Sequence, residues 1–181
     1  MPRLFVALDL PEAVLMAARD AQVGLPEGSR PAPFDALHLT LHFLGEAPET
    51  VVYDLAEALQ RLPRTPVPLA VQERLVLPNQ RRPRVLALAL TSSAALTALH
   101  AAAGQVIAEA GFALDPRPFR PHVTVARLRD GRPDAVCVWK DAAAPGRSET
   151  MGGEAVALVL YESRLTPERA VYVPRVTIPL R

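Results

Sequence analysis

The chain has 181 residues, half of them hydrophobic and 22% charged, with a formal net charge of +1. That composition excludes a disordered or low-complexity chain, and the near balance of charge excludes a global field drawing the protein onto long nucleic acid or an anionic membrane. Any anionic ligand has to be held by a local cluster; Lys140 is the one lysine among 20 basic residues, and the arginine fork that makes up the rest suits phosphate oxygens, although a G+C-rich genome or heat adaptation gives the same bias.

Residues 4–10 (LFVALDL) form a compact apolar run that predicts a buried strand. Asp9 interrupts it and no small-residue cleavage site follows, so it does not read as a signal peptide; no apolar stretch approaches the roughly 18 residues of a membrane span. A cytoplasmic protein is the expectation. Pro11 opens a helical pattern that runs towards Gly24. After a polar, proline-broken segment comes LHLTLHFLG (37–45), bounded by that loop and by Gly45. Pro48 then begins a helix in which Val51, Val52, Leu55, Leu59 and Leu62 recur at helical spacing, closed by Pro63.

Residues 66–77 and 85–90 read as strands. A third helix over about 92–111 has Ser92 or Ser93 as its N-cap and Gly111 just past its end. Residues 122–128 (HVTVARL) and AVCVWK read as strands, the second holding the lone cysteine, Cys137, as a buried inert thiol. One cysteine excludes an internal disulfide and a multi-cysteine metal site. The small, polar stretch 141–153 is the candidate mobile loop, and two strands, EAVALVLYESRL and AVYVPRVTI, end the chain.

Each half thus carries an apolar strand, a helix and a strand with the pattern His-x-Thr-x. No shorter repeat is present, so this is one duplication and not a solenoid. The expected fold class is α+β: a single bilobal domain over 1–181, with two pseudo-symmetric lobes of antiparallel sheet and helices and a cleft between them. The lobe of the first motif covers about 1–80 and that of the second about 81–181.

The alternation from 38 to 43 favours a strand over a helix. On a strand His38, Thr40 and His42 share one face, with Leu39, Leu41 and Phe43 opposite, and His38 and His42 lie about 13 Å apart, too far to chelate one ion. In the second motif His122 and Thr124 share a face. A histidine titrates near pH 6.5, so two of them across a cleft suit paired acid–base work, one activating water and the other protonating a leaving oxygen. Threonine hydroxyls can stabilise charge on non-bridging oxygens. This is equipment for metal-free hydrolysis of a phosphodiester, especially a strained cyclic one.

HLTLHFLG and RPHVTVARL, with RLFVALDLP, RPRVLALAL and LVLYESRL, resemble the two-histidine phosphoesterases, specifically the LigT-like bacterial and archaeal RNA 2′,3′-cyclic phosphodiesterases once named 2′–5′ RNA ligases. The resemblance implies a metal- and cofactor-free enzyme, a hydrolase converting a 2′,3′-cyclic phosphate on RNA 3′ ends or small cyclic nucleotides to the 2′-phosphate. It places the proton donor at His38, the proton acceptor at His122, and phosphate-binding hydroxyls at Thr40 and Thr124. Arg127 falls on the arginine that contacts substrate phosphate, though by parity it reaches the cleft only where the strand bends or ends at Ala126.

His42 stands where relatives often carry arginine or lysine, and by parity it faces the cleft as a substrate contact or a rim residue. Ala87 stands where an aromatic is common. Phe119, core by default, could stack on a base, and Arg120 joins Arg117 and Arg127 in a basic group near the second motif. His100 is expected to be structural, and Phe5 and Phe43 core. Tyr161, Glu162 and Ser163 are given a structural or cleft-edge role. Alternatives are 2′–5′ ligation by the same acid and base run in reverse, and a non-catalytic RNA-end or nucleotide-binding module; a monomer is expected in every case.

Overall fold

A computed structural model describes residues 1–129, 133–142, 152–167 and 169–180. Its strands are β1 (Arg3–Asp9), β2 (Ser29–Pro31), β3 (Leu39–Glu46), β4 (Pro68–Leu77), β5 (Val85–Leu90), β6 (His122–Leu128), β7 (Gly152–Glu154), β8 (Ala157–Leu165) and β9 (Ala170–Pro179). The helices are α1 (Glu12–Ala21), α2 (Glu49–Gln60), α3 (Ala94–Glu109) and α4 (Pro133–Asp141).

The helices follow their apolar stripes. α1 buries Val14, Ala17, Ala18 and Ala21, one stripe at helical spacing, and the chain then turns at Gly24, whose φ of 73° is cheap only for glycine. α2 buries Val52, Leu55 and Leu59, with Glu49 in the first turn, where a carboxylate opposes the helix dipole favourably. In α3 the Ser93 hydroxyl accepts from the Leu96 amide at 3.1 Å, and Leu96, Leu99, Ala103, Gly104 and Ile107 turn inward.

All described strand pairs are antiparallel, and the main path runs β7-β4-β5-β6-β3-β1-β8-β9, with β2 pairing β6 off that path. Strand pairing crosses the division drawn near residue 80: β8 and β9 complete the half built on β1 and β3, while β4 joins β5, β6 and β7 in the other. The two halves meet through a single pair, Leu39 opposite Val123. Both side chains are fully buried, so this seam is apolar on its core side. The flanking residues, His38, Thr40, His122 and Thr124, turn to the other face.

The expected strand AVCVWK is a helix. Val136 and Trp139 of α4, three apart, are its buried residues, Cys137 between them is partly buried, and Val138 is 75% exposed. Tertiary anchors override the β-like composition. The Trp139 indole donates to the Ala21 carbonyl at 2.9 Å, and buried Arg74 of β4 donates to the Trp139 carbonyl at 2.8 Å with its guanidinium 4.9 Å over the indole. A cation at a helix C-terminus and over a ring is favourable twice. Pro133 at the first helical position and Asp134 beside it are helix-start signals that the apolar run masked. β2 lies in the segment read as an irregular loop. The proposed mobile stretch 141–153 lies mostly outside the described residues, its last two residues opening β7. No helix among the described residues is long and apolar enough to cross a membrane.

Candidate active site

A cleft of about 810 Å³ opens at the seam between the half-sheets. His38, Thr40, His122, Thr124 and Arg127 all line it, with Arg3, Arg30, Arg117, Phe5, Phe43 and Tyr172.

Both motif strands carry the same irregularity. Along β3, Ala7 pairs with Thr40 and Val6 with His42, which leaves Leu41 as an extra residue. Along β6, Ala87 pairs with Thr124 and Leu86 with Ala126, leaving Val125 extra. Each β-bulge follows the motif threonine and inverts the facing of the residues just beyond it; β3 has a second register shift further on, at Leu44. Arg127 is thereby brought onto the face of His122 and Thr124, by a bulge and not by the end of the strand.

The same inversion corrects the parity expected for β3. His42 turns away from the cleft. It is only 7% exposed, its Nε2 donates to the His100 carbonyl at 2.9 Å, and its ring stacks on His100 at 4.2 Å. Gly104 of α3 makes room for it, since a Cβ there would sit 3.1 Å from the His42 ring. Phe43 takes the cleft face instead, 67% exposed and 6.1 Å from Phe5.

Phe119 stacks on the other face of His100 at 3.9 Å and is not among the residues lining the cleft. A His42–His100–Phe119 stack therefore uses up two of the expected substrate contacts as packing. Burial and neighbouring His42 lower the His100 pKa to about 4. The Arg120 side chain is also absent from the cleft lining. Its backbone carbonyl has a part in the site, described next.

Each cleft histidine is held by the carbonyl two residues before it. His38 Nδ1 lies 2.8 Å from the Ala36 oxygen, and His122 Nδ1 lies 2.7 Å from the Arg120 oxygen. A carbonyl only accepts, so both rings carry the proton on Nδ1 when neutral, and Nε2 is the nitrogen left for chemistry. The Thr40 hydroxyl sits 2.9 Å from His38 Nε2.

His38 packs among aromatics: Phe5 at 4.9 Å and Tyr172 edge-on at 5.2 Å between ring centroids. Burial in this cage lowers its pKa. The Ala36 carbonyl and the Asp9 charge oppose that, and the positive fields of Arg127 and His122 add to it. Asp9 is held behind the cage by the Tyr161 hydroxyl at 2.6 Å, and burial with that bond raises the Tyr161 pKa. Nothing in the sequence singles out Tyr172; its strand paired with β8 is what brings it beside His38.

Arg175 ties this half together, bonding Glu49 of α2 at 2.6 Å and Glu162 of β8 at 2.9 Å. Arg117 lines the cleft but is engaged by Asp115, whose pKa it lowers to about 2. Among the described residues no three His, Cys, Asp or Glu side chains gather into a metal-binding group.

The arrangement resembles known proteins closely. A protein of Thermus thermophilus named RNA 2′,3′-cyclic phosphodiesterase is 34% identical over 140 residues, covering 72% of this chain and 71% of its own. One of the same name from Archaeoglobus fulgidus is 28% identical over 173 residues, or 94% and 96% of the two chains. Among solved structures, Escherichia coli LigT in complex with 3′-AMP superposes with a TM-score of 0.80 at 25% identity, covering 99% of this chain and 98% of that one. The family model of the 2′-5′ RNA ligase superfamily matches residues 11–163. With two histidine strands meeting at one cleft, the chain belongs to that superfamily, the two-histidine phosphoesterases.

Proposed function

We propose that the protein hydrolyses a 2′,3′-cyclic phosphate, at the 3′ end of RNA or on a small cyclic nucleotide, to the 2′-phosphate. The observation carrying this reading is the pair of imidazoles with Nδ1 fixed on backbone carbonyls, so that both Nε2 atoms serve one cleft with two hydroxyls and an arginine. The relatives' name points to the same reaction.

In this reading the cyclic phosphate sits at the seam. Thr40 and Thr124 donate to its non-bridging oxygens and Arg127 offsets its charge. His122 Nε2 takes a proton from water as the new P–O bond forms. His38 Nε2 gives its proton to O3′ as the P–O3′ bond breaks, so one proton enters the protein and one leaves. The lowered pKa of His38 makes it a stronger acid, and the phosphate charge, offsetting Arg127 and His122, favours its protonation once substrate is bound. No metal or organic cofactor enters any step. The site is built from one chain, and the proposed working form is a monomer acting on RNA ends in the cytoplasm.

Purified protein with adenosine 2′,3′-cyclic phosphate tests this, the product being identified by phosphorus NMR. The expected product is the 2′-phosphate, at a rate indifferent to EDTA. His38→Ala and His122→Ala should each lower kcat by about 10²–10⁴, the range for a positioned acid or base. Wild-type turnover in either variant would overturn the paired roles, and a 3′-phosphate product would reassign the leaving oxygen.

A further inference from the structure

β2 is three residues long and lies off the main path of the sheet, yet it is held firmly. Its residues pair with β6 as Ser29 with Leu128, Arg30 with Arg127 and Pro31 with Ala126. The Ser29 hydroxyl donates to the Pro26 carbonyl, and the Ala32 amide donates to the Val125 carbonyl at 2.9 Å. The Gln22 side chain donates to the carbonyls of both Ala32, at 2.7 Å, and Val125, at 2.9 Å.

The product of this bracing is two arginines directly opposite each other on an antiparallel pair. Side chains so placed have Cβ atoms about 4.5–5.5 Å apart, and like charges there repel. Among the described residues neither guanidinium is paired with a carboxylate, and both line the cleft. A fold that aligns two unneutralised guanidinium forks in a cleft is preorganised for an anion, and their planar donors match phosphate oxygens.

Arg30 sits level with Arg127, not with Thr124. That puts it two to three residues further along β6 than the catalytic seam, roughly 7–10 Å at about 3.3 Å per residue. This is the distance of a neighbouring phosphate, not of the one being cleaved. A mononucleotide has no such phosphate; an RNA chain has.

We infer that Arg30 grips the phosphodiester one nucleotide upstream of the cyclic end, while Arg127 stays with the cyclic phosphate, so that the preferred substrate is an RNA chain and not a cyclic mononucleotide. This rests on the phosphodiesterase reading above and adds a subsite to it. Arg30 is a specificity residue and takes no part in the proton transfers.

The experiment compares kcat/KM for adenosine 2′,3′-cyclic phosphate and for a diadenosine dinucleotide ending in the same cyclic phosphate, using wild type, Arg30→Ala and Arg30→Lys. Wild type should prefer the dinucleotide by about tenfold, the order expected of one charged hydrogen-bonded contact. Arg30→Ala should abolish that preference and reduce the log–log salt slope for the dinucleotide by about 0.7, one single-strand phosphate contact. Arg30→Lys, which keeps the cation without the fork, should retain the salt slope and lose part of the preference. Unfolding curves of the variants report whether β2 survives. A wild type with no preference, or a preference that survives Arg30→Ala, overturns the subsite. Equal losses on both substrates overturn it too, placing Arg30 on the cyclic phosphate itself. If wild type hydrolyses neither substrate, the phosphodiesterase reading fails first.

Discussion

Replacing Gln22 by methionine keeps the volume of the side chain and removes a side chain that braces the β6 bulge from outside the sheet. Both of its partners are carbonyls, so only the amide nitrogen can serve them. Met offers no donor. The Val125 carbonyl keeps its bond from the Ala32 amide at 2.9 Å, but the Ala32 carbonyl loses its side-chain partner. Two hydrogen bonds at about 1 kcal/mol each give a destabilisation of about 2 kcal/mol. For a domain of this size that is a fall of roughly 4–8 °C in Tm. Urea unfolding followed by circular dichroism should show a lower midpoint at unchanged slope, since the surface exposed on unfolding is the same. Because the bulge sets where Thr124 and Arg127 point, kcat/KM for a cyclic nucleotide should fall by about tenfold, well inside what a 1 Å misplacement can cost. A Gln22→Met protein within about 0.5 kcal/mol of wild type and equally active would refute the bracing, and would show that the bulge is held by the sheet alone.

Two predictions concern histidines. In the free protein His38 should titrate below the ordinary 6.5, through burial among Phe5, Tyr161 and Tyr172 and the fields of Arg127 and His122, and saturating inorganic phosphate should move its midpoint up; proton–nitrogen NMR reads both, and a midpoint at or above 6.5 without phosphate contradicts the cage. His100 makes stability pH-dependent. Its folded pKa near 4 lies below the unfolded 6.5, so the unfolded chain binds the extra proton in between, and stability falls as pH drops through that window. Discounted for the partial exposure of the ring, wild type should lose about 1 kcal/mol more than His100→Phe between pH 7.5 and 5.0, measured by urea unfolding at each pH. Equal losses in the two proteins would show that His100 is protonated freely in the fold.

What the sequence disclosed was whatever depends on periodicity. The buried run of β1, the stripes of α1 to α3, and the two His-x-Thr-x strands all follow from alternation at two or at 3.6 residues, and the histidines and threonines of the cleft come with them. Periodicity fails where the chain breaks its own period. One bulged residue, Leu41, sends His42 to α3 and Phe43 to the cleft, and Val125 does the reverse service for Arg127. Nothing in LTLHF or VTVAR announces an inserted residue, because the bulge is specified by its partners. For Val125 these are Gln22 and Ala32, 103 and 93 residues away in the chain. The same holds for α4, whose AVCVW composition suits a strand and whose helix is fixed by Arg74 and Ala21. Arg30 and Tyr172 were invisible as site residues since each owes its place to a strand pairing, with β6 and with β8.

The duplication is symmetric at the reacting centre and asymmetric one step out. Histidine, threonine, bulge and the carbonyl two residues before each histidine repeat in both strands. Beyond the bulge the equivalents are Phe43 in β3 and Arg127 in β6. A symmetric site would give its two imidazoles interchangeable roles and bind its substrate equally well in either direction. Environment breaks that tie, as it does wherever two like groups share a site and divide acid from base. On the β3 side the open edge is taken by β1, which supplies Phe5 and, through β8 and β9, the tyrosines that cage His38. On the β6 side the corresponding edge is taken by β5, which carries no aromatic residue, and the short β2, on the edge that β6 shares with β3, supplies Arg30. An apolar wall suits a nucleoside and a guanidinium suits the charged backbone, so under the proposed function an RNA end would have one favourable way in. With its chain leaving over Arg30, the terminal nucleoside would lie towards Phe43, and the leaving oxygen would fall to the caged histidine, whose surroundings lower its pKa and make it a stronger acid than a free imidazole.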